Sequence, residues 1–418
     1  MDRTGELFCE MLSEAVHGQK PLPRTDLSDG ELSALYGLAQ IHRVTPLLYE
    51  ALAAALPAGN ADLASFTASL RRSVRAGVAA QIRVSDDYLR LLAFLTAHGL
   101  HPMSVKGIVC RGLYPNPDLR VSADEDILVV PRELDACRAL AEEYGMVSAD
   151  PAGEGGEQHV FTYILPASGL HIEIHRALFS PSSKVYGEFN RFFEPERMLS
   201  AAVRVPVYGT EILSLCHTDH LLYLILHAFK HFMHSGFGLR QVCDIALYAA
   251  RYGAEVDWGY ICRVLGELRA EKFVAVVFRI GRERLGIDVP TYPETLRSAE
   301  TDEDPLLDDL LQSGIYGGAG AARLHSSNIT LTAIRENRSG KKSTSGFKAW
   351  LHSVFPPAIS LEWKYTYLRR HKWLLPWAWT CRICGFVFRR RSEKGSAGET
   401  LRIGQERVEL MRKYGIID

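Results

Sequence analysis

The sequence predicts an α+β protein, a small mixed β-sheet core embedded in helical N- and C-terminal regions. Three observations predict it. Residues 1–98 carry apolar side chains at helical spacing. Residues 99–205 break into short β-branched apolar runs punctuated by Gly and Pro turns, the pattern of a mixed sheet. Residues 206–300 return to helical spacing, and 301–418 read as a loop followed by a helical, aromatic and basic C-terminal region. These four segments are the expected organisation, and 418 residues are enough for two or three domains with a substantial core.

Composition narrows the function classes. A formal net charge of −1 leaves no global basic footprint for nucleic acid, so such a contact would need a local patch. The N-terminal MDRTGELFCEMLSEAV is amphipathic without a signal-peptide core, and no apolar run is long enough to span a bilayer. The nearest run, Trp373 to Phe388, is interrupted by Pro376, Arg382 and Gly385. The eight cysteines form no framework, which suits a reducing, cytoplasmic location. Cys381-Arg-Ile-Cys384 has no second pair to complete a zinc site and reads as two thiols on a helix.

In the N-terminal region, Leu32, Leu35, Leu38 and Ala39, then Leu47, Leu48, Ala51 and Leu52, keep helical spacing on either side of Pro46, which favours a helix start. His42 and Arg43 fall at that junction and are expected to cap and solvate it. Residues 63–98 continue as a long helix whose arginines form a solvated face, and His98-Gly99 ends it.

The central region is organised around Lys106 to Val130. Leu100 to Val105 reads as a strand, Lys106-Gly107 as a turn, and Ile108 to Leu113 as a helix start. Free backbone N–H groups at such a helix N-terminus favour phosphate, and Lys106 adds a mobile charge. Asp124-Glu125-Asp126 then runs into the strand Ile127 to Val130. Side chains alternate along a strand, so Asp124 and Asp126 share a face and Glu125 takes the other. Two carboxylates on one face repel each other, and a divalent ion between them relieves the repulsion. Mg²⁺, or alternatively Mn²⁺, is the expected guest, because Mg²⁺ shares such carboxylates with substrate phosphates. Pro131 opens a helix to Glu143, and 151–157 form a Gly/Glu loop. His159 to Leu165 and Leu170 to Ala177 read as a hairpin about Ala167-Ser168-Gly169. In its second strand His171, Glu173 and His175 share one face. Pairing beside Ile127–Val130 lets Glu173 join Asp124 and Asp126 as a third carboxylate. A His-Glu-His metal site is the competing reading, set lower because three ligands on one strand converge poorly on one ion.

In the following helical region, Asp219 to Phe232 presents His227, Lys230 and His231. The two histidines, four residues apart, read as packing groups, since the HExxH acid is missing. Gly236 and Gly238 break this helix, and Leu239 to Tyr248 starts the next. Lys230, Arg240 and Asp244 are expected to line a cleft with the cations near phosphates. Residues 301–346 read as looser, and the aromatic and basic stretch 347–394 is a candidate weak contact for nucleic acid or a membrane surface.

The ordered set Lys106-Gly107, Tyr114-Pro115, Asp118, Leu119-Arg120 and Asp124-x-Asp126-Ile-Leu-Val resembles the nucleotidyltransferases of the DNA polymerase β-like superfamily, in their bacterial "uncharacterised nucleotidyltransferase" branch. The blocks Ala39 to Leu52, Ile172 to Arg176 and His227 to Tyr248, together with Asp257-Trp258, resemble the same branch over most of residues 30–300, and the terminal RKYGIID echoes it. Lys106-Gly107 stands where the superfamily usually has Gly-Ser. The resemblance implies a nucleotidyltransferase core at 99–205 with a helical domain packed on it. It also implies in-line attack of an acceptor hydroxyl on the α-phosphate of an NTP such as ATP, with release of pyrophosphate. Asp124, Asp126 and Glu173 would be the catalytic, metal-holding carboxylates. Lys106, Gly107, Arg120, Lys230 and Arg240 would contact the substrate, Arg120 alternatively bracing the acidic strand. The acceptor would be a small molecule, a protein or RNA. A protein that keeps this fold and binds nucleotide without turnover is the alternative.

Overall fold

The computed structural model describes residues 2–24, 27–54, 61–149, 158–234, 236–299, 301–313, 321–338, 361, 365–369, 371–381 and 397–418. The expected Gly/Glu loop at 151–157, the whole of 339–360, Cys384 and the basic run 389–391 lie outside the described residues. The chain forms two compact units, Met1–Phe229 with Gly238–Gly314, and Lys230–Phe237 with Ile315–Asp418.

The first unit opens with α1 (Arg3–Val16), α2 (Asp29–Ile41), α3 (Thr45–Ala54) and the long α4 (Ala61–Ala97). A capping box at Ser28 and Glu31 starts α2, satisfying backbone donors the first turn leaves free. The α2–α3 junction differs from its expected solvated form. His42 is fully buried and its Nδ1 accepts the Leu239 N–H at 3.2 Å. Burial holds its pKa down at about 4. Only Arg43, with φ at 53°, is exposed there.

The sheet has seven strands in the order β3-β4-β5-β2-β1-β7-β6. They are β1 (Met103–Val105), β2 (Glu125–Leu128), β3 (Val147–Ser148), β4 (Val160–Leu165), β5 (Leu170–His175), β6 (Val203–Val207) and β7 (Thr210–Ser214). Pairs β2–β5 and β1–β7 are parallel and the others antiparallel, so the sheet is mixed. The sheet continues past residue 205. The hairpin β6–β7 turns on Tyr208 and Gly209, both at positive φ (48° and 79°), as a tight primed turn requires. Pro206 lies within β6. Because β6 is the outermost strand, the missing N–H costs no ladder bond.

Strand β2 begins at Glu125, so Asp124 stands just before it. Alternation divides its acids. Glu125 turns away from Asp126 and is buried beneath the short helix α5 (Gly107–Arg111). There it ion-pairs with the fully buried Arg111 and accepts the Ile108 N–H at 2.8 Å and the Ser122 hydroxyl at 2.9 Å. Arg111 also donates to Ser85 on α4. This pair ties strand, elbow and long helix together. Glu125 therefore has a structural task.

Beyond α6 (Leu134–Glu143) and α7 (Pro195–Ser200), the helices α8 (His217–His234), α9 (Leu239–Tyr252), α10 (Trp258–Glu267), α11 (Glu271–Leu285), α12 (Glu294–Arg297) and α13 (Asp304–Ser313) follow in sequence, α8 passing into the second unit at Lys230. Residues 301–346, expected to be loose, include α13 and α14 (Ala321–Arg338). Their apolar spacing was masked by the intervening Gly-rich run. In the second unit α14 packs closely on α15 (Ala397–Lys413). A Cβ at Gly404 would lie 2.6 Å from Ile329. Leu361, Leu368 and Ala378 form a small core there, and Trp373 and Trp377 are exposed. Among the described residues, no helix is long and apolar enough to cross a membrane.

Arg111→Met leaves Glu125 charged, buried and unpaired. Urea unfolding is expected to show a loss of about 3–5 kcal/mol, the range for breaking a buried pair from one side. A loss under about 1 kcal/mol would remove the pair from its central place in the fold.

Candidate active site

The site is built on an elbow. Strand β1 ends at Val105, and Lys106 adopts φ 54° and ψ −121° before α5 begins. For a residue with a Cβ this conformation costs about 1–3 kcal/mol and persists only where its surroundings impose it. Here they do. The Lys106 N–H donates to His220 Nε2 at 3.1 Å, and His220 Nδ1 lies 3.2 Å from Ser214 Oγ, which donates to the Ser104 carbonyl at 2.8 Å. That chain fixes the tautomer. Nε2 accepts, Nδ1 carries the proton, and the ring is neutral. Burial holds its pKa down at about 3. Gly107 follows at φ 20°, and a Cβ there would lie 2.1 Å from Glu125 Oε2. The position therefore accepts only glycine beside Glu125.

The elbow aims Lys106 at the carboxylates. Its Nζ is 2.9 Å from Asp126 Oδ2, 3.4 Å from His227 Nε2, and 5.5 Å from the centre of the Tyr223 ring. In the parallel β2–β5 register Asp126 stands opposite Glu173. His175, two residues further along β5, reaches back so that Nε2 is 2.8 Å from Asp126 Oδ1 and 3.3 Å from Glu173 Oε2. One ligand atom each from Asp126, Glu173 and His175 lie within 4.8 Å of one another, a grouping able to hold a metal ion.

The electrostatics follow from this packing. Burial opposes a charge on Asp126, but Lys106 and His175 outweigh it and hold the carboxyl well below its usual range. The hydrogen bond from His175 lowers the Glu173 pKa against a smaller penalty from burial. Burial works against a charged His175, yet its hydrogen bonds to Asp126 and Glu173 raise its pKa. Asp124 reaches water at the rim, but surrounding protein displaces part of its hydration and raises its pKa, and the Asp126 charge adds to the rise.

The remaining expected residues divide. Arg120 is buried and bound to Asp244 through Nε (3.1 Å) and Nη2 (2.6 Å), with Tyr114 donating to the same carboxylate at 2.8 Å. A third bond, Nη1 to the Gly107 carbonyl at 3.3 Å, makes Arg120 a brace beneath the elbow. Arg240 donates to the Val121 carbonyl at 2.7 Å. Burial and the Arg120 charge lower its pKa to about 10, and its own charge acts to lower that of Asp124. The first N–H beyond Gly107, at Ile108, is already taken by Glu125. Lys230 belongs to the second unit.

Sequence reasoning missed His220, weighed His175 only within the lower-ranked His-Glu-His set, and gave His227 only a packing role. Alternation placed His175 on the Glu173 face. His171, on that same face, is exposed and stays outside the group, so the His-Glu-His set is not assembled. His227, expected only to pack, reaches Lys106.

Residues 28–286 match the family described as "Uncharacterised nucleotidyltransferase". No curated protein matches the chain. Among solved structures, the chain is similar to an antigenic nucleotidyltransferase-like protein from Paracoccidioides brasiliensis, at 14% identity and a TM-score of 0.31, over 50% of this chain and 93% of the other.

His220 supplies a pH signature. Its folded pKa lies below the ordinary value, so its contribution is complete above about pH 6.5 and is lost as pH falls towards about 3. The stability difference between the wild type and His220→Asn should therefore shrink by up to about 1.4 kcal/mol per pH unit below 6.5, read by urea unfolding. A difference that does not vary with pH would contradict a buried neutral ring.

Proposed function

Because the chain belongs to the uncharacterised nucleotidyltransferase family, we propose that it transfers an NMP from an NTP, such as ATP, to an acceptor hydroxyl with release of pyrophosphate. One observation carries the reading. Two neighbouring parallel strands set Asp126 opposite Glu173, with Asp124 at the rim and the Lys106 ammonium beside them.

The donor set fits a hard divalent ion, since carboxylate oxygens converge at the open end of a buried strand. Asp124, Asp126 and Glu173 would hold Mg²⁺, which when bound neutralises phosphate charge and orients the leaving pyrophosphate. The residues themselves supply the rest. Lys106, fixed by its elbow, presents a cation where the phosphates would lie, and Arg240 adds a second positive charge near Asp124. Glu173, kept ionised by His175, takes the proton of the acceptor hydroxyl. The hydroxyl oxygen then bonds to the α-phosphorus as the bond to the pyrophosphate oxygen breaks. Arg120 keeps the elbow in place through Asp244 and the Gly107 carbonyl. The neutral overall charge gives RNA no broad footprint, so a small molecule or a protein is the favoured acceptor.

One observation favours the alternative, nucleotide binding without turnover. Lys106 and His175 already neutralise Asp126. Pyrophosphate release, measured with each NTP and cell extract as the source of acceptor, separates the two. Release marks transfer, whereas NTP-dependent thermal stabilisation without release marks binding alone.

Asp124→Asn, Asp126→Asn and Glu173→Gln are each expected to cut pyrophosphate release by at least about a hundredfold. Glu173→Gln should leave NTP binding nearly intact. Retained turnover in Glu173→Gln would move the proton acceptor elsewhere.

Melting temperatures in EDTA should split the two aspartates. Asp124→Asn removes a charge that its surroundings disfavour, and should match or exceed the wild type. Asp126→Asn takes the carboxylate away from Lys106 and the buried His175, and should melt clearly lower. The reverse order would overturn this charge assignment.

A further inference from the structure

Resting on the reading of Asp126 and Glu173 as metal ligands, we infer that His175 is a ligand of the same ion, and that the site thereby selects Mn²⁺ over Mg²⁺. His175 is almost wholly buried, so its ring has no solvent-facing task. Nε2 points at both carboxylates, 2.8 Å from Asp126 and 3.3 Å from Glu173. Adjacent ligands around a six-coordinate ion with bonds near 2.1 Å lie about 3 Å apart, and these two separations bracket that value. The parallel register sets Asp126 opposite Glu173 and Leu128 opposite His175. Three ligand atoms from two strands thus converge, all within 4.8 Å of one another.

The donor chemistry then chooses the ion. Mg²⁺ dehydrates reluctantly and is held by carboxylates, phosphate oxygens and water, so an imidazole adds little to its binding. Zinc and iron also accept an imidazole with carboxylates, so the histidine sets Mn²⁺ apart from Mg²⁺ alone. His171, which could add a second imidazole, is exposed and outside the group. Mn²⁺ shares the octahedral oxygen coordination of Mg²⁺ and also takes a histidine, as in di-manganese carboxylate proteins.

The decisive measurement is electron spin echo modulation of Mn²⁺ bound to the full chain carrying ¹⁵N-labelled histidine. A directly bound imidazole gives a nitrogen coupling that changes with the isotope, and this is the result expected. Its absence from tightly bound Mn²⁺ overturns the inference. In parallel, free Mn²⁺ is titrated by its EPR signal against Mg²⁺ competition. His175→Gln should lose Mn²⁺ affinity at least about tenfold and Mg²⁺ affinity less than about threefold. An unchanged selectivity ratio also overturns it. Asp126→Asn separates the two claims. If it abolishes binding of both ions while the ratio ignores His175, the metal-site reading stands and the imidazole ligand falls. If the wild type binds neither ion, or Asp126→Asn binds both as the wild type does, both fall.

Discussion

The site depends on a strand of four residues that buries two adjacent acids on opposite faces of the sheet. Burying a carboxylate costs several kcal/mol unless a cation compensates it, so Glu125 and Asp126 each need a partner on their own side. Glu125 takes Arg111 beneath the sheet, and Asp126 takes Lys106 and His175 above it. The division of labour follows. The pair beneath is sealed and structural, whereas the cluster above opens towards Asp124 and water. Strand alternation alone separates them, so a one-residue register slip would exchange the roles and leave both unpaired.

The elbow at Lys106 couples the two faces. Its positive φ aims the ammonium up at Asp126, and the next two residues close over Glu125, Gly107 by lacking a Cβ and Ile108 by donating its N–H. The strain is held by His220 from α8 and by Arg120, itself anchored on Asp244 of α9. The helices after the sheet therefore act on the site by fixing a backbone conformation that β1 and α5 alone would not keep. The residues matched to the family likewise extend past the acidic strand, to residue 286.

Much of this was legible in the sequence because it rests on period and residue type. The fold class, the acidic strand and the β4–β5 hairpin all follow from alternation and turn residues. Three things were not legible. The β6–β7 hairpin contains Pro206, and only its edge position makes that tolerable. His42 and His220 resemble polar helix-end residues in sequence, and only tertiary packing shows them buried and accepting backbone N–H groups. His175 was grouped with His171 by spacing alone. Which of the two meets the carboxylates depends on the pairing of β5 with β2, a long-range contact that no local pattern encodes.

Charge balance within the protein decides which acid is left uncompensated. Lys106 offsets Asp126, and hydrogen bonds from His175 hold Asp126 and Glu173, leaving Asp124 as the acid whose charge its surroundings disfavour. On the proposed function, a divalent ion added to this group would bring positive charge that the polyanionic tail of an NTP would cancel. With the ion on Asp126, Lys106 would turn to phosphate oxygens, and an imidazole bound to the ion would give up its Nε2 proton. Ion and nucleotide would thus satisfy each other's charge at one place. A site built only of acids would repel the nucleotide until its ions arrived, and the Lys106 ammonium beside Asp126 would lessen that repulsion.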